Sequence, residues 1–205
     1  MLGQILNDSN LGSFITSLIK ENNIQSVLET GTMDGTGSTK VLYDALLSKP
    51  NPKLVSFEIN PSYFSLAKKR YEFVEWVKIY NGSIVNFNNI TTQKIDTVRL
   101  NDITTQKIDT VRQNWLDEDL KNYNSSSQYI NLDDYSFDLC FLDSSEFCGF
   151  WEFKTIEKKT KYVILDDTKL LKHAYTLEYC LKNHECIRNF DGDRNGWACF
   201  KMKES

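Results

Sequence analysis

The sequence predicts an α/β fold: a mostly parallel β-sheet covered by helices on both faces and finished by an antiparallel hairpin. Three observations predict it. Five short apolar runs, at residues 26–29, 54–58, 77–80, 137–143 and 162–166, each end in a polar or acidic residue and are mostly separated by stretches of helical spacing. The fourth and fifth, FDLCFLD and KYVILDD, are apolar too continuously for a strand with one wet face and read as strands buried on both sides, as in parallel sheets. The tail, residues 185–202, reads as two strands around the turn Asp191-Gly-Asp-Arg-Asn-Gly196.

The helical stretches fall at residues 11–20, 38–48, 61–74 and 169–183, and Pro61 stands in a first turn, where its missing N–H does no harm. The 205 residues suit one domain spanning 1–205 with an insertion. With 40% hydrophobic and 25% charged residues the chain can bury a substantial core, which excludes disorder. Its 24 Lys+Arg against 28 Asp+Glu give a net charge of -4, so the basic footprint of a nucleic-acid partner is missing. No apolar run approaches the roughly 18 residues of a membrane span, and the first residues lack a leader pattern, so no membrane association and a cytoplasmic location are expected. Five cysteines (Cys140, Cys148, Cys180, Cys186 and Cys199) include no C-x-x-C pair and read as mostly buried thiols.

Between the third and fourth strands, NNITTQKIDTVRL at 88–100 returns as NDITTQKIDTVRQ at 101–113. Thirteen residues at about 100° each leave the copies about 140° apart on a helix, so they could not offer one face to one core. The economical reading is a tandem duplication in a solvent-facing insertion at about 88–131. A lid or an oligomer contact, compatible with a homodimer, is the other reading.

The first strand runs into VLETGTMDGTGS, residues 27–38, with three glycines between a strand and a helix. There the backbone must turn sharply and approach a ligand, and helix N-terminal N–H groups favour an anion. Thr30 to Gly37 matches the Thr-Gly-x-x-x-Gly-x-Gly loop of short-chain NAD(P) oxidoreductases, but none of the ten tyrosines has Lys four residues on, as that chemistry needs. Glu29, at the strand's end, suits a cationic amino group better than a pyrophosphate, which it would repel.

On these residues the chain resembles class I S-adenosylmethionine-dependent methyltransferases, and within them the metal-dependent O-methyltransferases of the catechol and caffeoyl-CoA type. Glu29-Thr-Gly31-Thr32-x-x-Gly35, followed by Gly37 and Ser38, looks like the family's first motif. Glu58, followed by Ile59, matches the acidic residue that grips both ribose hydroxyls, and Gly82-Ser83 falls where the family contacts adenine. The resemblance implies a Rossmann-like three-layer sandwich with a seven-stranded sheet. It also implies S-adenosylmethionine as cofactor and methyl transfer to an oxygen of a small molecule or sugar. A non-catalytic cofactor-binding protein remains an alternative.

Asp143 ends the fourth strand and Asp166-Asp167 end the fifth, so three carboxylates should converge where open α/β sheets bind ligands. At matching positions the family holds a divalent cation with Asp, Asp and Asn. The resemblance thus implies Asp143, Asp166 and Asp167 as ligands of Mg²⁺ or another divalent cation, with Asp143 also at the cofactor. The same Asp-Asp-Thr reads equally well as a helix N-cap. Glu146 stands where catechol-type enzymes carry a catalytic lysine, leaving Glu146 or His173 as candidate general base. Asp191 to Gly196 also resembles the start of an EF-hand loop, but position twelve is Met202, so a hairpin turn is expected. The aromatic run of residues 147–153 and Trp197 read as core or pocket lining.

Overall fold

The computed structural model describes residues 5–86, 110–126, 128–192 and 194–203. The elements are α1 (Asn10–Glu21), β1 (Ser26–Thr30), α2 (Ser38–Leu46), β2 (Lys53–Glu58), α3 (Pro61–Arg70) and β3 (Val77–Ser83), then α4 (Thr110–Ser126) and β4 (Gln128–Tyr129). They continue with β5 (Phe137–Leu142), α5 (Gly149–Ile156), β6 (Thr160–Asp166), α6 (Leu171–Asn183), β7 (Glu185–Phe190) and β8 (Trp197–Lys201). The strands form one sheet in the order β4-β3-β2-β1-β5-β6-β8-β7. All pairings are parallel except those of β8 with β6 and β7. The seven expected strands are present, and the two-residue β4 adds an eighth at the edge.

The sheet is buried on both faces because successive strand residues point to opposite sides. Val27, Leu54, Leu139, Phe141 and Ile164 pack with Leu11, Ile15 and Leu42 of α1 and α2. Their neighbours Leu28, Val55, Cys140, Leu142 and Val163 pack with Tyr123, Phe153 and Cys180 of α4, α5 and α6. Neither strand face can be polar, which is why the runs were continuous in the sequence. Local signals set several helix starts. Ser9 caps α1 by accepting from the Gly12 N–H at 3.0 Å. Asn60 accepts from the N–H groups of Ser62 and Tyr63, and Pro61 follows it at the start of α3.

Helix α5 carries the aromatic run, and Phe153 lies in the core as expected. Two elements differ from the sequence reading. Helix α6 begins at Leu171 rather than Lys169, and its N-cap residue Leu170 makes no side-chain cap bond, so neither Asp166 nor Asp167 caps it. The first copy of the duplication and most of the second lie outside the described residues. The second copy ends within α4, however, and Tyr123 of that helix is buried in the core, so the latter part of the expected solvent-facing insertion packs against the sheet. Four cysteines are buried and Cys186 is exposed. No helix of the described residues is long and apolar enough to cross a membrane.

β1 has β2 on one side and β5 on the other, so the chain changes direction across the sheet between β1 and β5. Ligand crevices of open α/β sheets form at the strand ends there. At this point Gly31 (φ +90) lies so close to β5 that a Cβ would come within 2.1 Å of the Asp143 carbonyl oxygen. Gly31→Ala combines that clash with a left-handed backbone costing about 1–2 kcal/mol. The variant should lose about 2 kcal/mol or more of unfolding free energy in urea, read as a lower midpoint at unchanged slope.

Candidate active site

A cleft of about 400 Å³ opens at the carboxyl ends of β1, β2, β3 and β5, within the usual range of small-molecule sites. Gly31, Glu58, Ile59, Gly82, Ser83 and Asp143 all line it. So do Glu118, Asp119 and Asn122 of α4 and Glu152 of α5. Among the described residues no lysine or arginine does.

Glu58, at the end of β2, is 7% exposed. Its Oε2 accepts from the Met33 N–H at 2.7 Å and its Oε1 from the Asn60 N–H at 2.8 Å, so two backbone groups fix the carboxylate's plane. Across the cleft, Glu152 Oε2 accepts from Thr30 Oγ1 at 3.0 Å and Ser144 Oγ at 2.6 Å, and Asp119 accepts from the Ser145 hydroxyl. Burial pushes the carboxyls of Glu58, Asp119 and Glu152 above the usual range, against the hydrogen bonds that favour the charged form.

Glu29 lies beneath the glycine loop, fully buried. One oxygen accepts from Ser38 Oγ at 2.6 Å; the other accepts from Thr39 Oγ1 at 2.7 Å and from the Ser56 hydroxyl. Glu29 was expected to meet a ligand's amino group; in the structure three hydroxyls engage the carboxylate, and it is not among the residues lining the cleft. Thr32 is buried against the Ser56 hydroxyl, Gly35 packs on Tyr71, Gly37 is the N-cap residue of α2, and Ser38 serves Glu29. These five residues shape the loop from below.

The three expected carboxylates do converge, with one oxygen of each of Asp143, Asp166 and Asp167 within 4.8 Å of the others. Two cationic side chains already occupy the cluster. Lys172 Nζ, on a side chain only 7% exposed, lies 2.6 Å from Asp143 Oδ1 and 2.9 Å from Asp167 Oδ2. Arg194 Nη2 lies 3.0 Å from Asp166 Oδ2 and 4.0 Å from Asp167 Oδ1. The hairpin delivers Arg194 because its turn folds back onto the end of β6, with the Thr168 N–H donating to the Gly196 carbonyl and the Lys169 N–H to that of Asn195. Asn195 Nδ2 donates to Asp167 Oδ1 at 3.0 Å, which helps hold Asp167 in a left-handed conformation (φ +55).

Burial and then the neighbouring Asp143 push the Asp166 carboxyl up to about 7. Asp167 is burdened by burial too, but Lys172, Asn195 and Arg194 bring it below its ordinary value. A divalent cation does not fit this arrangement. The oxygens of Asp143 and Asp167 that face each other are held by an ammonium, and an incoming ion would add two positive charges beside two already present.

Glu146 is partly exposed and does not line the cleft. His173 is not at the surface of its helix but fully buried, with Nε2 donating to the Leu142 carbonyl at 3.1 Å and Nδ1 without a hydrogen-bond partner among the described residues. Burial, with Lys172 adjacent, lowers its pKa to about 3, so it is neutral and lacks contact with the cleft. Gly149 of α5 makes this packing close: a Cβ there would lie 2.3 Å from the Lys172 carbonyl oxygen and 2.7 Å from the His173 ring.

No protein-family model and no curated protein matches this sequence. Solved structures do match its shape. The O-methyltransferase TomG from Streptomyces achromogenes, in complex with S-adenosylmethionine, has a TM-score of 0.61 at 14% identity, covering 97% of this chain and 82% of that one. An O-methyltransferase from Bacillus cereus bound to S-adenosylhomocysteine gives 0.60 at 12% identity over 96% of this chain and 82% of that one. A methyltransferase from Podospora anserina, also bound to S-adenosylhomocysteine, gives 0.58 at 13% over 95% and 78%. This chain has the O-methyltransferase fold. Motif reading passed over Glu118, Asp119 and Glu152, which line the cleft, and Lys172 and Arg194, which pair with the aspartate cluster. A carboxylate or cation brought in by α4, α5 or the hairpin carries no local motif, and only the acidic character of DEDL in residues 117–120 hinted at one.

Glu29 gives the fold a pH signature. Burial, outweighing the three hydroxyls, pushes its carboxyl up to about 7 from 4.5. Between these values the folded chain keeps a proton that the unfolded chain has released, so stability falls as pH rises through the window. Glu29→Gln should remove that part of the fall, a slope of up to ~1.4 kcal/mol per pH unit. Urea unfolding at pH 5 and pH 7 checks this; an unchanged pH difference in the variant would place the titration elsewhere.

Proposed function

We propose that this protein transfers a methyl group from S-adenosylmethionine to a hydroxyl oxygen of a small-molecule acceptor. The observation that carries the reading is the charge of the cleft. Glu58, Glu118, Asp119 and Glu152 line it without a lysine or arginine among the described residues, while Asp143, also on the wall, is paired from behind by Lys172. Such a wall attracts a sulfonium and an ammonium and repels a pyrophosphate, which counts against the dinucleotide reading of the same glycine loop. O-methyltransferases of the same fold with S-adenosylmethionine or S-adenosylhomocysteine bound support the reading further.

In this reading Glu58 accepts both ribose hydroxyls, since each oxygen keeps a lone pair beyond its bond to Met33 or Asn60. Gly31 lets the chain pass without a side chain between ligand and Asp143, whose carboxylate faces the ammonium. Ile59, Gly82 and Ser83 line the side where adenine would lie. The cofactor supplies an electrophilic methyl group: its bond to sulfur breaks as the acceptor oxygen forms the new one, and sulfur keeps the electron pair. The protein's part is positioning and proton removal. Asp119 and Glu152, carboxylates of raised pKa on the cleft wall, are the candidate acceptors for the hydroxyl proton, in place of Glu146 and His173. No step runs through a metal ion.

Isothermal titration with S-adenosylmethionine, S-adenosylhomocysteine and NADP tests the reading. The first two should bind and NADP should not, and Glu58→Ala should weaken S-adenosylmethionine by about tenfold or more, or ~1.4 kcal/mol. Binding of NADP alone would sink the methyltransferase reading, while full affinity in Glu58→Ala would sink the ribose assignment.

A further inference from the structure

We propose that Lys172 is the built-in cation of the Asp143–Asp166–Asp167 cluster, and that its ammonium takes the place of a divalent metal ion. The position is central: Nζ spans Asp143 Oδ1 at 2.6 Å and Asp167 Oδ2 at 2.9 Å, on a side chain 7% exposed. A compact ammonium on a flexible stem can stand in for a small metal ion as a point charge. Arg194 completes the balance, facing Asp166 at 3.0 Å. The two oxygens of Asp166 are buried without a hydrogen bond among the described residues, so their neutralisation comes through the charge of Arg194. Three carboxylates and two cations leave at most one negative charge, whereas three buried carboxylates alone would be heavily penalised.

The ammonium is held by the backbone as well as by its partners. Lys172 sits in the first turn of α6, and its carbonyl packs closely on Gly149 of α5, which fixes the position of the helix start that carries the side chain. A divalent ion would need Asp143 and Asp167 oxygens at about 2.0–2.6 Å, the atoms that Nζ already bridges. On the methyl-transfer reading a second consequence follows: an ammonium offers no open coordination position, so the acceptor is not required to chelate through two neighbouring oxygens. That consequence rests on the proposed function; the assignment of the cation does not.

The test reads Mn²⁺ directly, by electron paramagnetic resonance of the free ion during titration of the purified full chain, and needs neither cofactor nor turnover. Wild type is expected to leave Mn²⁺ free. Lys172→Met, checked for folding by circular dichroism, is expected to bind Mn²⁺ at least about tenfold more tightly than wild type, and adding Asp143→Asn should abolish the gain. Mn²⁺ bound by wild type and released by Asp143→Asn would overturn the proposal. So would a folded Lys172→Met that leaves Mn²⁺ free, since the lysine would then not be what fills the site. If Lys172→Met does not fold, the wild-type titration with its Asp143→Asn control decides alone.

Discussion

The glycine loop rests on a single buried carboxylate. Glu29 ties β1 to β2 through Ser56 and to the first turn of α2 through Ser38 and Thr39. Removing a carboxyl from water is costly, and three hydroxyls offset part of that cost, burial still outweighing them. With the strand end and the helix start fastened to one group, the intervening residues have little freedom. Gly31 is thereby held against β5, and the Met33 N–H is presented to Glu58. The cleft inherits its shape from an interaction buried beneath it.

The same rigidity explains why the acidic wall persists without internal cations of its own. Glu58 is locked by two backbone N–H groups and Glu152 by two hydroxyls, so each carboxyl is oriented by neutral donors and not by a paired cation. The aspartates one step further along the sheet are treated differently. They face Lys172 and Arg194 and form a nearly neutral unit. One end of the sheet thus carries an acidic group beside a nearly neutral one, with Asp143 at the junction of the two.

How much of this was legible in the sequence follows from how local each signal is. The strands were readable because burial on both faces removes polar residues from a whole run, as in FDLCFLD. Glu58 and Asp143 were readable because strand ends place them at the ligand side of any such sheet. Helix α5 was obscured because four of the seven residues from Phe147 to Phe153 are aromatic, and aromatic-rich runs suit strands, cores and pockets alike. The burial of His173 was not legible because it packs against Gly149 of a different helix. Lys172 and Arg194, 22 positions apart in the sequence, acquire their roles only when the hairpin returns over the end of β6. Glu29 was legible as an important acid, yet the serines and threonine that bury it belong to other elements.

The contact at Gly149 has a consequence for inheritance. A side chain at that position would press on the Lys172 carbonyl and the His173 ring, so the identity of a residue on one helix governs where a charge sits on another. Positive charge supplied in this way is encoded in the gene rather than drawn from the surroundings. It cannot be sequestered, exchanged for a competing ion or lost by dilution, and among descendants of this sequence it can change only by mutation.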